Sequence, residues 1–207
     1  MSRRETTKLE TRQLILEAAR KLFHRRGPEL CTMRDIAREA GVSPASVVVH
    51  FKNKTALLEV ALYEDIEQTI AKAVATMPQA GASLHGRLMH IARCMYGFYD
   101  NDRELYRVLI RDTTFEKAGE NPYLTRQLQE YLQFFGALIE QEKERGKVRP
   151  GADARIAASS LFSLYFSVLM EFLRSPDLTP DMALGWLSEA VRQHLTGIVP
   201  PEGDKGK

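Results

Sequence analysis

The side chains with the plainest chemical purpose in this sequence are cations and hydroxyls, and they gather near its start. Residues 1–55 hold 12 Lys and Arg against 6 Asp and Glu, whereas the other 152 residues hold 17 against 21. A basic front with an acidic rear points to a polyanion met by the front alone. Within that front, Thr32 and Ser43 stand where helices begin, and Ser43 is followed by Pro44. A hydroxyl acceptor at N-cap, then a residue whose fixed φ suits the first helical position, makes a strong helix start. Covalent chemistry finds no comparable support. Paired carboxylates, a Ser/His/Asp set, a Cys with a nearby His and metal-ligand spacing do not stand out. His85 and His90 are five apart, the wrong offset for one helical face. The expectation is no enzyme, no metal and no cofactor.

The elements that must position these residues read as helix nearly throughout. "TRQLILEAARKLFHRRG" puts Leu14, Ile15, Ala18, Ala19, Leu22 and Phe23 at helical spacing, with Gly27 and Pro28 beyond. Thr32 opens a second helix, "MRDIAREA", ended by Gly41, and Ser43 opens a third. Asn53 caps a fourth, which runs to the break at Pro78. A fifth carries Leu84, Leu88, Ile91, Met95 and Phe98 on one stripe, and "DNDRELYRVLIRD" is a shorter sixth. A long helix over about residues 123–145, another over about 152–174 and a last one started by Thr179 and Pro180 complete the set. The fold class is all-α, about nine helices: a helix-turn-helix domain at 1–55, a larger helical domain at 56–197 and a disordered tail at 198–207.

An apolar content of 44% with 27% charged residues suits a soluble globular chain. No apolar run is expected to reach the ~20 residues of a membrane span. The start "MSRRETTKLETR" lacks the apolar region of a secretory signal, and Cys31 and Cys94 read as reduced thiols. The expected location is cytoplasmic.

The third helix holds three consecutive valines, a strand-like run in a helical chain. Placed after Ser43 and Pro44, they fall in a helix of about two turns, where their low propensity costs a few tenths of a kcal/mol each. Val47 faces the core, and Val48 and Val49 turn partly outward, where an isolated protein prefers polar residues. Ile36 and Ala40 face inward, Ala37 allows a close crossing, and Gly41 permits a left-handed turn. This is the spacing of a helix-turn-helix, whose second helix enters the DNA major groove.

"ILEAARKLFHRRG" and "TMRDIAREAGVSPASVVVHFKNKTALLEVAL" together resemble the N-terminal signature of the TetR family of one-component transcriptional regulators. The match runs over about residues 11–62, with Gly27, Ile36, Ala37, Gly41, Ser43, His50, Phe51, Lys54 and Leu57 in order. The resemblance implies that Pro44, Ala45, Ser46, Val48 and Val49 face the groove. This set is poor in donors, so base reading rests on apolar contact with thymine methyls, plus Ser46. Arg34 adds a contact to guanine or phosphate, Thr32 and Ser43 offer phosphate-favouring helix starts, and Lys54 looks like the family's phosphate-binding lysine. Arg3, Arg4 and Lys8 are expected as a flexible arm near the minor groove. The family usually has an aromatic, most often Tyr, where this chain has Val48. Its phosphate contact must come from elsewhere, for instance His50.

The rear is rich in Met and aromatic residues, each accounted for by core packing on its own. The resemblance implies an effector cavity, with Met89, Arg93, Met95, Phe98, Phe134, Tyr165, Phe166 and Glu171 as candidate lining and His90 as a further polar anchor. The effector is then small and lipophilic or aromatic. It also implies a homodimer paired through the last two helices, the final one offering Leu184, Leu187, Val191 and Leu195, and a palindromic operator. Repressor and activator both stay open, as does a sensor that keeps the fold with weak or lost DNA binding.

Overall fold

The structure is a computed structural model and describes residues 2–79, 81–114 and 122–196. The expected tail at 198–207 lies outside the described residues. Those residues form nine helices and no strand: α1 (Arg3–Arg26), α2 (Met33–Glu39), α3 (Pro44–His50), α4 (Lys54–Ala75), α5 (Leu84–Asp100), α6 (Arg103–Thr114), α7 (Pro122–Glu144), α8 (Ala154–Arg174) and α9 (Pro180–Thr196). They divide into two compact units, residues 1–71 with 101–128, and residues 72–100 with 129–207.

In the first unit, α1 buries Ile15, Leu16, Ala18, Ala19, Leu22 and Phe23. Leu14 is half exposed, and Leu16, one step round the helix from the expected stripe, is fully buried. Helix α1 packs on α2 and α3, and Ile36 and Ala37 of α2, Val47 of α3 and Leu57, Leu58, Ala61 and Leu62 of α4 are buried in the same unit. Ala40, expected inside, is only half-buried. Gly41 turns the chain between α2 and α3 at φ +67°, the left-handed region that side chains resist. Ion pairs fasten the periphery. Arg20 donates to Glu64 at 2.8 Å and to the Ala61 carbonyl at 2.8 Å. His24 Nδ1 lies 2.9 Å from Asp102, and Arg111 lies 2.9 Å from Glu29.

In the second unit, α5 packs on α9 and α8 packs on α9. The core holds Leu88, Ile91, Met95 and Tyr96 of α5, Leu161, Leu169 and Phe172 of α8, and Leu184, Leu187 and Val191 of α9. A charge pair is buried there too: Arg87 and Glu142 lie 3.6 Å apart, 3% and 1% exposed. Asp153 caps α8 by accepting from the Arg155 and Ile156 amides, and Thr179 accepts from the Met182 amide at the start of α9. One expectation fails at α8. Its 21 residues are long and apolar enough to cross a membrane by length and composition, because interspersed serines and one Glu leave the mean hydropathy at 1.7. A core helix of a soluble protein passes the same test.

Candidate nucleic-acid interface

The helix-turn-helix is held by local caps that leave its outer face free. Thr32 and Asp35 form a reciprocal cap on α2: the Asp35 amide donates to the Thr32 hydroxyl, and Asp35 accepts from the Thr32 amide and hydroxyl at 3.1 and 2.6 Å. Those bonds hold the Asp35 carboxyl below its ordinary 3.8 against an opposing push from burial, with lesser help from Arg38. On α3, the Ser43 hydroxyl accepts from the Ser46 amide at 3.1 Å. Pro44 and Ala45 are exposed, as are Val48 at 58% and Val49 at 75%, while Val47 is fully buried. Arg34 is exposed at the start of α2. Lys54 is half-buried, and its ammonium donates to the Pro28 carbonyl at 2.8 Å, which ties the start of α4 to the loop after α1. Two of its three N–H groups remain available beyond that bond.

Ser46 and His50 lie apart from the exposed valines. One turn from each other on α3, they line a groove of about 460 Å³ whose opposite wall is Arg3, Arg4, Thr7, Lys8 and Thr11 of α1. The expectation of a flexible arm is thereby overturned. Residues 3–26 are one continuous helix, started by Ser2, whose hydroxyl accepts from the Glu5 amide while its own amide donates to the Glu5 carboxylate. The pattern Ser-x-x-Glu in "SRRE" is the sequence signal for such a start. Burial, then the charges of Lys8 and Arg12, push the His50 imidazole below its ordinary 6.5. Arg12 also lies over the Phe51 ring, 5.2 Å from its centroid.

The candidate effector residues are scattered more widely. Tyr165 and Phe166 join an aromatic cluster: Tyr96 stacks on Tyr165 at 5.6 Å, Phe162 stacks on Phe166 at 5.8 Å, and Tyr131 meets Phe162 edge-on at 5.0 Å. Phe134 packs edge-on to Phe135 and Phe98 on Tyr99. Met95 is buried and Met89 half-buried. The polar candidates sit differently. Arg93 is exposed and pairs with Asp181 at 3.1 Å, and Glu171 accepts from Ser175 at 2.7 Å and from Arg174 at the end of α8. His90 bonds the Ala73 carbonyl and the Thr76 hydroxyl at the end of α4.

Residues 15–61 match the family of bacterial regulatory proteins, tetR family. Over that N-terminal stretch the chain is similar to the TetR family. It is 24% identical to the Bacillus subtilis HTH-type transcriptional regulator YvkB over 91% of this chain and 94% of that protein. It is 27% identical to the nucleoid occlusion factor SlmA of Edwardsiella ictaluri over 84% of this chain and 89% of that one. Among solved structures, FadR of Thermus thermophilus, a TetR-family transcriptional repressor in complex with lauroyl-CoA, superposes with a TM-score of 0.69. That alignment covers 95% of this chain and 99% of FadR at 20% identity. FadR of Bacillus subtilis in complex with stearoyl-CoA gives 0.67 at 17% identity, over 90% and 99%.

Two groups of residues stand out beyond those expected from the sequence. One is the α1 wall of the groove, where Thr7 and Thr11 accompany the three cations. The other is the outer face of α8 and α9. Leu184, Leu187 and Val191 are core, while Ile156, Met170, Met182 and Trp186 stand 41–66% exposed. Met182 and Trp186 are one turn apart on α9, a stripe that was readable but weaker than the buried one.

Proposed function

We propose that this TetR-family protein is an effector-released repressor that binds a palindromic operator as a homodimer in the cytoplasm. The observation that carries the reading is α3: seven residues, capped at Ser43, with Val48 and Val49 exposed on a helix whose inner side is locked by Val47. Two exposed β-branched residues on so short a helix gain nothing in isolation. They suit the thymine methyls of a major groove, with Ala45 beside them. Thr32 and Ser43 serve the phosphates through helix-start amides, and Arg34 and Lys54 supply charge.

The exposed apolar residues of α8 and α9, Trp186 among them, are the surface a second copy would cover. A two-fold pair then sets its recognition helices about 34 Å apart, one turn of duplex. The effector is assigned to the second unit, between aromatic residues such as Phe162, Tyr165 and Phe166. The acyl-CoA ligands of the two FadR structures make long-chain acyl thioesters the first compounds to try. Helix α4 carries residues of both units and is the proposed lever. A ligand moves it only by binding the two states with different affinity.

The test is genome-wide pull-down of bound DNA, followed by gel shifts on the enriched sites with thymine replaced by uracil. The expected result is a palindrome with half-sites one turn apart and weaker binding to the uracil duplex. A monomer in light scattering, or equal binding to heparin and to every duplex, rejects the reading. The valine at position 48 favours a second reading, a sensor with weak DNA binding, which a shallow salt dependence would support.

A further inference from the structure

The aromatic residues of the second unit are of two kinds. Tyr96 and Phe172 are fully buried, and Phe135 nearly so. Tyr131 of α7 and Phe162, Tyr165 and Phe166 of α8 touch those rings or one another, yet each is only half-buried. Burial nevertheless raises the Tyr131 and Tyr165 phenols. Rings that keep accessible surface while their hydroxyls are starved of water line a narrow cleft, neither a sealed core nor a flat exterior. The hydroxyls differ in what they do. Tyr96 donates to the Tyr165 carbonyl at 3.3 Å, and the side chains of Tyr165 and Tyr99 hydrogen-bond each other. Tyr131 has no hydrogen bond among the described residues, although Phe135 at 4.3 Å and Phe162 at 5.0 Å hold its ring. An idle O–H on a ring fixed by its neighbours is preorganised for an acceptor. Among the described residues, the only titratable groups that act on Tyr96 and Tyr165 are other tyrosines, and none acts on Tyr131. A cleft without fixed charge disfavours an ion, which sheds its hydration and gains no counter-charge.

We propose that Tyr131 is the polar anchor of this cleft, its O–H donating to the carbonyl oxygen of an uncharged ligand whose apolar body lies against Phe162 and Phe166. The ligand class is a neutral aryl or acyl ketone, ester or thioester. A carboxylate of the same shape is refused, because no cation stands ready to replace its water. The rings supply area and stacking, which tolerate many shapes, and Tyr131 supplies the one directed bond. The acceptor also relieves a hydroxyl that is held away from water without a partner, so the bond is worth more here than on an open surface.

This anchor rests on the effector site assigned above to the second unit, and the experiment separates the two. The probe is prodan, a neutral naphthyl ketone whose emission moves to longer wavelength when its carbonyl accepts a hydrogen bond. It is titrated into the wild type and into Tyr131→Phe, which keeps the ring and removes only the donor. Circular dichroism checks that helix content is equal in the two. Tyr131→Phe is expected to bind prodan about five-fold more weakly, with the bound emission moved to shorter wavelength. Methyl naphthoate is expected to displace the dye from the wild type, and the naphthoate anion to fail even at about ten-fold excess. Unchanged affinity and emission in Tyr131→Phe overturns the anchor and leaves the effector site standing. Equal displacement by the ester and the anion overturns the neutral class. A wild type that binds neither prodan nor the ester overturns the cleft, and with it the placing of the effector among these rings.

Discussion

The first unit, a head built round the helix-turn-helix, and the second, an aromatic body, are built on opposite terms. In the head, several side chains and one glycine have local backbone duties: Thr32 and Ser43 cap helices, Gly41 makes a turn, and Lys54 clamps a loop carbonyl. In the body, Tyr96, Phe172 and their neighbours hold the helices together by packing, and no single residue advertises a second purpose. The head therefore breaks at single positions and leaves a signature in the chain. The body spreads its task over many packing contacts.

The largest expected effect tests the exception to that contrast, the buried pair in the body. Burial pushes the Glu142 carboxyl up, but the bond from Arg145 and the charges of Lys147, Arg145 and Arg87 hold it below its ordinary 4.5. Arg87 donates to the Gln79 carbonyl, and its Nε has no partner among the described residues. Glu142→Leu leaves that cation buried and unmatched, at a cost of about 3–5 kcal/mol. Thermal unfolding is expected to fall by on the order of 10 °C. Arg87→Met together with Glu142→Leu is expected to recover most of the loss, since paired removal leaves no uncompensated charge. A double variant as unstable as the single one would make the body depend on one site after all.

Next in size is Gly41→Val, which places a β-branched side chain at φ +67°. Nothing crowds the position, so the whole cost is backbone strain, about 1–2 kcal/mol. Thermal unfolding reads the loss, and gel shifts are expected to show a larger one, because the turn sets how α3 is presented. Equal losses in stability and binding would mean that the turn only supports the fold.

The same contrast decides what could be read from residues alone. Caps at Thr32, Ser43, Asn53 and Thr179 fix helix starts within a few residues, so they were legible, as was the buried Val47 between two outward neighbours. The helical start of α1 was equally local, since Ser2 and Glu5 carry it, but three cations there looked like an arm. Long-range facts were not legible. Arg87 finds Glu142 only through the fold, Lys54 finds the Pro28 carbonyl, and Arg93 turns to Asp181 instead of inward. Periodicity named an apolar stripe on α9, and burial then removed Leu184, Leu187 and Val191 from the surface.

The smallest effect, absent at neutral pH, sharpens the comparison by titration. Burial, the first cause in every case, pushes the phenols of Tyr63 and Tyr99 up to about 12 and those of Tyr96, Tyr131 and Tyr165 well above their ordinary 10. Four of these five belong to the body and only Tyr63 to the head. The unfolded chain releases its phenolic protons near 10, while the folded chain keeps them. Stability is therefore complete below about pH 10 and declines as pH rises toward the folded values. Phenolate absorbance is expected to stay at or below two of the seven tyrosines through about pH 11, then to rise together with the loss of helix. A smooth rise near pH 10 with helicity intact would mean that water reaches the body's tyrosines. The aromatic cluster would then be a wet cavity, already open to an effector, and the head would be the better packed of the two regions.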